Sequence, residues 1–514
     1  MAIIRNYRQF LYIVNLIRAM VRLRRSKSEQ DKQIVRQKIS EQLARNGGLA
    51  MKVGQVVANY KKDPAFMHLL KGIPQRQLSE MKKQMEEAPA KPNVEDFEWI
   101  EEKAHAASLG QVHRAKLKSA GDIVAVKIQY PEIAETIKSE LKIAGLIPTM
   151  GPAKKWQVDL NAYKKTLNED LADELDYTIE AQRQARFYES LKVDGLIIPK
   201  VYPELCSKTV LVQSWEDGVF FDEVMKWDKK DKLLVARTLV MTLMKSLFSF
   251  GEVHTDPHMG NFFFNRKAGE KPTVTLLDYG SADTIAETER MALLKLIVAL
   301  RENDPIDYMR CFAAMGFDLA KLAYIEHELP VLCPLLFKPF LTNEALDLDK
   351  WQVTKGFEVI LGERKWWFRS SGSADLYLIM RTFQGLILQL VDLEVQLPMW
   401  GLLKKSLGEE LMEKARNFDL PPTPEFTPIP KVQAVSKQLK VIIFEGKKEI
   451  MNLTFPPDAA LNIEELIPEK VLLDLYELGW DEKVLRKQLI DSHLAPQVIF
   501  DDKTAGRWHK VWLE

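Results

Sequence analysis

The chain reads as an α+β protein of two lobes, a small sheet-rich lobe followed by a larger helical one. Three observations predict this. At 514 residues the chain is too long for one ordinary core. The stretches "FEWIEEKAH", "GQVHRAKLK" and "DIVAVKIQYP" read as three short strands, the last two joined by a "SAGD" turn. From about 219 helical spacing dominates, interrupted by a strand–turn–strand around 261–279.

Taken in order, residues 1–90 form an N-terminal helical extension with breaks at Gly47-Gly48 and Pro64. "EEAPAKPNVEDF" (86–97) is a linker. The sheet-rich lobe spans 91–217, with helical spacing from about 132 to 192 and two further strands expected in "LIIPKVYPEL" and "KTVLVQSW" (196–215). The helical lobe spans 218–419. Residues 420–514 comprise the linker "LPPTPEFTPIPK", with five prolines in twelve residues, and a tail expected to be helical in parts.

Composition narrows the function. Hydrophobic content of 46% and charged content of 28% are those of a globular protein. The 72 Lys and Arg balance the 72 Asp and Glu, so no global field recruits nucleic acid. Cys206, Cys311 and Cys333 show no metal or disulfide spacing, which predicts a reducing, cytoplasmic setting. No apolar run approaches the roughly 18 residues that span a bilayer. The nearest, "LYLIMRTFQGLILQLV" (376–391), is broken by Arg381, Gln384 and Gln389 and reads as a core helix. Residues 1–25 carry six arginines and no acid, with apolar residues at spacings of three and four. This basic amphipathic helix suits either peripheral contact with an anionic membrane surface or docking on the protein's own core.

The chemistry lies in "VHTDPHMGNFFF" (253–264) and "VTLLDYGSA" (274–282). Asp256 and Asn261 stand at the D-x-x-x-x-N spacing of a kinase catalytic loop, and Asp278-Tyr279-Gly280 stands where D-F-G would. A hairpin from 261 to 278 brings both acids to one rim. Phosphoryl transfer requires this set: Asp256 near the acceptor hydroxyl, and Asn261 with Asp278 gripping Mg²⁺ on the phosphates of ATP. "VAVK" (124–127) offers Lys127 for the α- and β-phosphates. "LNEDLADELDYTIEAQ" (167–182) offers Glu174, Asp176 and Glu180, and Asp176 and Glu180, four apart, are expected on one helix face as a clamp for cations. In "AHAASLGQVHRA" (104–115), Ala106, Ala107 and Ser108 stand where a glycine-rich loop would have glycines, followed by Gly110.

These segments resemble the UbiB-type, or aarF-domain-containing, atypical kinases. The likeness rests on "MKVGQ" (51–55) for the family's K-x-G-Q motif, the alanine-rich loop with "SLGQVH", "DELDYTIEA" (173–181) for E-x-D, and "HTDPHMGN" (254–261), in order over roughly residues 40–400. The resemblance implies a protein-kinase-like fold with family-specific N-terminal helices. It implies that Lys127 pairs with Glu180, that Asp256 is the catalytic-loop acid, and that Asn261 and Asp278 bind Mg²⁺. Lys52 and Gln55 would sit on a helix closing over the cleft, with Lys52 facing Glu174, which excludes protein substrates and favours a small molecule or lipid such as an isoprenoid quinone precursor. His105, Thr255, Met259 and Tyr279 depart from the family pattern without removing a phosphate- or metal-binding group. Aminoglycoside and choline phosphotransferases share H-x-D-x-x-x-x-N but lack the K-x-G-Q helix, and a nucleotide-sensing regulatory scaffold would keep every motif residue. Whether the protein is a homodimer is left open by the sequence.

Overall fold

A computed structural model describes residues 28, 32–38, 75–86, 92–107, 109–131, 133–135, 137, 172–256, 258–426, 434–446, 448–465, 476, 479–504 and 507–514. The basic helix expected over 1–25 and the "MKVGQ" segment lie outside these residues.

Helix α1 (Leu78–Glu86) buries Met81 and Met85. Strands β1 (Phe97–Ala106), β2 (Gly110–Leu117) and β3 (Ile123–Gln129) follow as expected, then α2 (Tyr177–Ser190), β4 (Leu196–Ile197) and β5 (Val210–Ser214). The first sheet runs β1-β2-β3-β5, antiparallel throughout. Successive side chains of a strand point to opposite faces, and β3 is covered on both. Val124, Val126 and Ile128 join a core with Met81, Met85, Phe97 and Val212. Lys127 and Gln129 take the other face and are buried too. Each buried Val or Ile contributes about 1.5–3 kcal/mol, so β3 anchors this lobe.

One expected strand is largely absent. "LIIPKVYPEL" shrinks to β4, which pairs in parallel with a strand of the other lobe rather than with the first sheet. Pro199 and Pro203 lack the N–H that a ladder requires, and Pro203–Leu205 is a 3₁₀ turn.

In the larger lobe, α3 (Lys229–Met244) runs into a π-helical turn, Lys245–Phe250, which ends at Gly251 with φ 83°. Only glycine takes that backbone without strain. Strands β6 (Glu252–His254), β7 (Phe262–Asn265), β8 (Thr273–Leu276) and β9 (Ala282–Thr284) frame the motif loops, and β7 and β8 form the expected hairpin. Helix α4 (Glu287–Glu302) follows, then shorter helices between 308 and 371, α5 (Ala374–Asp392) and α6 (Met399–Arg416). Residues of α3, α5 and α6 share one apolar core with Phe264, Leu276 and Tyr279. Contrary to the sequence expectation, Lys229–Phe250 is long and apolar enough to cross a membrane, with 22 residues and a mean hydropathy of 1.5, and 61% of its apolar window is buried in the protein.

The tail is helical in part, as expected, and also carries a sheet that the sequence did not suggest. It is chiefly a four-stranded antiparallel sheet of β10 (Leu439–Glu445), β11 (Lys448–Phe455), β12 (Gln497–Thr504) and β13 (Arg507–Leu513), ordered β11-β10-β13-β12. With helix α7 (Glu482–Asp491) it encloses its own core, including Leu439, Phe455, Leu461, Leu489 and Val511.

Gly110 opens β2, where a Cβ would lie 2.1 Å from the Ile128 carbonyl oxygen of β3. The backbones of β2 and β3 can approach only because the side chain is missing. Gly110→Ala is therefore expected to destabilise the small lobe by about 1–3 kcal/mol, the usual cost of overpacking. Chemical denaturation followed by tryptophan fluorescence checks this, and an unchanged midpoint would contradict it.

Candidate active site

Three charged groups from separate elements meet between the lobes. Lys127 Nζ, from β3, donates to Glu180 Oε1 of α2 at 2.6 Å and to Asp278 Oδ2, just beyond β8, at 3.0 Å. The Tyr177 ring lies 4.9 Å from the ammonium. Lys127 and Glu180 are buried, whereas Asp278 keeps 29% of its side-chain exposure. Burial alone would lower the lysine pKa, but Asp278 and Glu180 outweigh it and hold the ammonium well above the ordinary range. Burial likewise opposes ionisation of Asp278, yet the Lys127 charge wins and keeps this carboxyl well below the usual range. Glu180, deeper in, is pushed up by burial, and Lys127 pulls it back in part.

The second half of the site is the loop from β6 to β7. Asn261 closes a short 3₁₀ turn, Met259–Asn261, after His258 Nδ1 accepts from the Gly260 N–H at 2.9 Å. Asn261 Nδ2 donates to Asp256 Oδ2 at 3.0 Å and to the Asp256 carbonyl at 3.2 Å. The Leu277 N–H donates to the Asn261 carbonyl at 2.8 Å, which sets Asn261 beside the strand end that carries Asp278. The turn after Asp278 is fixed twice. Asp278 Oδ1 accepts from the Gly280 N–H at 3.0 Å, and Arg183 of α2 donates to the Gly280 carbonyl at 2.7 Å and to Asp173 Oδ2 at 2.6 Å. Tyr279 is fully buried, its hydroxyl donating to the Leu276 carbonyl at 3.1 Å. His254 is buried as well, which lowers its pKa and favours the neutral ring.

The sequence-predicted residues are placed as follows. Lys127, Glu180 and Asp278 converge, and so do Asp256 and Asn261. Asp176 does not join them. The helix begins at Tyr177, so Asp176 is its N-cap, accepting from the Thr178 N–H at 3.0 Å, and it faces Lys208 at 3.8 Å rather than Lys127. Glu174 lies beside the aspartate turn, its Cγ 3.6 Å from where a Gly280 side chain would begin. Ala106 ends β1, and the Ala107 N–H donates to the Gly110 carbonyl at 2.9 Å, so this amide closes the turn rather than pointing out of it. Ser108, Lys52 and Gln55 lie outside the described residues.

Sequence reasoning missed three groups. Arg183 clamps the aspartate turn. Gln111 pins the segment before α1 as a strand would, accepting from the Arg76 N–H at 2.8 Å and donating to its carbonyl at 3.1 Å. Arg381 of α5 approaches Asp256 Oδ1 at 3.6 Å. The signal for the last was in view, because a charge inside an apolar helix needs a partner.

No group of three or more His, Cys, Asp or Glu is arranged to hold a metal among the described residues. The oxygens of Asn261 and Asp278 are the hard donors that Mg²⁺ takes, and Mg²⁺ characteristically completes its shell with water and phosphate rather than protein. The residues present therefore fit such an ion brought with a nucleotide.

Residues 68–310 match the family model described as the ABC1 atypical kinase-like domain. An ABC1 family protein of Schizosaccharomyces pombe is 30% identical over 333 residues, covering 61% of this chain and 62% of that protein. The mitochondrial atypical kinase COQ8B of Danio rerio is 26% identical over 343 residues, 63% of this chain and 53% of that one. The mitochondrial atypical kinase COQ8 of Saccharomyces cerevisiae is 27% identical over 271 residues, 51% and 53%. The chain thus spans between 53% and 62% of the length of these relatives. A Mycobacterium tuberculosis protein solved with erythromycin aligns with a TM-score of 0.47 at 20% identity, over 70% of this chain and 87% of that one. Residues 68–310 thus carry an ABC1 atypical kinase-like domain.

Removing one partner of a buried ion pair costs about 3–5 kcal/mol, because the other is left without its counter-charge. Lys127→Met is expected to lower the unfolding midpoint accordingly, and Lys127→Met/Glu180→Leu to recover much of the loss. Differential scanning fluorimetry of both variants checks this, and a single variant as stable as the wild type would show that the ion pair does not stabilise the fold.

Proposed function

We propose that the protein is an atypical kinase or ATPase that binds Mg²⁺-ATP between its lobes and acts on a small molecule or lipid, an isoprenoid quinone precursor being one such acceptor, rather than on proteins. The observation that carries this reading is Lys127, a buried ammonium bonded at once to Glu180 in one lobe and Asp278 in the other. In phosphoryl transfer the protein's task is positioning and charge stabilisation. Lys127, held by Glu180, reaches the α- and β-phosphates. Asn261 and Asp278 hold Mg²⁺, which neutralises charge on the phosphates when bound. The turn from Ala106 through Ala107 and Ser108 to Gly110 covers the phosphates. Asp256 accepts the proton of the acceptor hydroxyl as its oxygen bonds to phosphorus and the bond to ADP breaks. Lys52 and Gln55 would close over this cleft with Glu174 as the acid that Lys52 faces, and Asp176 caps the same end of α2. The relatives' names place several of them in mitochondria. A setting on an organelle or other anionic membrane surface, reached through residues 1–25, fits this chain's six N-terminal arginines.

The test is nucleotide binding and turnover on the full chain. A ligand at 100 times its dissociation constant stabilises the folded state by about 2.7 kcal/mol, so Mg²⁺-ATP is expected to raise the melting temperature of the wild type. Asp278→Asn is expected to abolish that Mg²⁺-dependent rise. ATP turnover, measured with and without anionic liposomes and a phenolic lipid, is expected to increase when both are present. Undiminished stabilisation of Asp278→Asn would sink the site assignment. Binding without turnover under any of these conditions would point instead to a nucleotide-sensing scaffold.

A further inference from the structure

Asp256 is approached from two sides. Asn261 Nδ2 donates to Oδ2 at 3.0 Å, and a guanidinium nitrogen of Arg381 stands 3.6 Å from Oδ1. The first contact comes from the motif loop itself. The second comes from α5, more than a hundred residues further along the chain and beyond the matched domain at 68–310. At 3.6 Å it is an ion pair and not a hydrogen bond.

Helix α5 is a rigid platform. Ile379, Leu386 and Leu390 sit in the large-lobe core, and the Thr382 hydroxyl, also buried, lies 3.0 Å from the Leu378 carbonyl oxygen and 3.4 Å from that of His254, two residues before Asp256. Neighbouring residues of one helix therefore lie against both the backbone and the carboxylate of this loop. Arg381 itself keeps 31% of its side-chain exposure and Asp256 keeps 36%, so both remain open to the cleft. Placing a guanidinium in an otherwise apolar helix is costly unless it meets a carboxylate, and Asp256 is the carboxylate it meets.

We propose that Arg381 is a positioning residue for the reaction. Asn261 at Oδ2 and Arg381 at Oδ1 restrict rotation of the Asp256 carboxylate and so hold it in one orientation toward the acceptor hydroxyl. Its flat, multi-donor head suits this role better than a lysine ammonium would. The inference rests on the kinase reading of Asp256 and goes beyond it by adding a residue that no motif contains.

The experiment uses the full-length protein, steady-state ATP turnover with Mg²⁺, and thermal shift by Mg²⁺-ATP. Misplacing a catalytic group by about 1 Å costs on the order of 100-fold, so Arg381→Ala is expected to lose about that much kcat. Because Arg381 faces Asp256 and not Lys127 or Asp278, KM for ATP and the nucleotide thermal shift are expected to stay within twofold of the wild type, on the order of 0.4 kcal/mol. Arg381→Lys is expected to fall between the two, and millimolar guanidinium to restore part of the Arg381→Ala activity. Arg381→Gln, which keeps a long polar side chain, guards against a folding defect and is expected to behave as the alanine variant does. Normal kcat in Arg381→Ala and Arg381→Gln, with an active wild type, overturns this inference alone. Equal losses in kcat and in nucleotide binding assign Arg381 to the fold and also overturn it. A wild type that neither binds nor turns over nucleotide brings down the kinase reading and this inference together.

Discussion

A lysine ammonium buried between two carboxylates is the constraint on which this structure turns. Taking a charge out of water costs several kcal/mol, and a β3 side chain on the cleft side has no solvent to meet that cost. Glu180 and Asp278 meet it from outside the strand. Each partner fixes an element: Glu180 requires α2 to lie across the sheet, and Asp278 requires the end of β8 to reach up from the large lobe. This ammonium thus helps to register the lobes, together with the β4–β8 pairing and the Arg183 bond to the Gly280 carbonyl. Lys127 in turn is held on β3 by a strand whose opposite face is among the best-buried apolar surfaces of the protein.

The large lobe meets a different demand. The loop 254–261 is polar, yet it is bordered by Val253, Phe262, Phe264 and Tyr279, all in the main core. Those side chains fix where the loop begins and ends. Within it, the short-range bonds of His258 and Asn261 fix its path. The Thr255 and Ser281 hydroxyls lie 2.9 Å apart, and the Thr255 N–H donates to the Ser281 carbonyl at 3.0 Å, so the loop and the aspartate turn move as one unit. Apolar packing supplies the frame and hydrogen bonds supply the aim.

How much of this was legible depended on whether the signal was local. Strands β1 to β3 and the hairpin β7–β8 follow from period-two alternation and turn residues, and Lys127, Glu180, Asp256, Asn261 and Asp278 follow from short spacings. Asp176 was misread because a spacing of four implies a shared face only inside a helix, and this helix starts one residue later. The tail's helix agrees with its reading, but its sheet was not legible because β10, "LKVIIFE", carries apolar Ile442 and Phe444 on the face opposite Leu439, Val441 and Ile443, which hides the alternation. The apolar helix Lys229–Phe250 was passed over because Arg237 and Lys245 interrupt its apolar stretch after the charged start at Lys229, Lys230, Asp231 and Lys232. That stretch meets the main core, so apolarity here reports burial in protein. Arg183 and Arg381 are long-range partners, and no short window of sequence contains both ends of such a contact.

The balance of charge in the cleft carries a last consequence. Around the site stand Glu174, Glu180, Asp256 and Asp278, against Lys127, Arg183 and Arg381. Arg183 is occupied by Asp173 and the Gly280 carbonyl, and Lys127 by two carboxylates. Among the described residues a bare polyphosphate would therefore meet four carboxylates against three cations, and like charges at close range repel. A small hard cation arriving with the ligand would supply opposing charge, and the oxygen donors of Asn261 and Asp278 are suited to it. Lys127 holds Asp278 Oδ2, and the Gly280 N–H holds Oδ1. If such an ion drew Asp278 away from Lys127, Glu180 would still hold the ammonium at 2.6 Å. The buried glutamate would then keep Lys127 from standing alone in the interior.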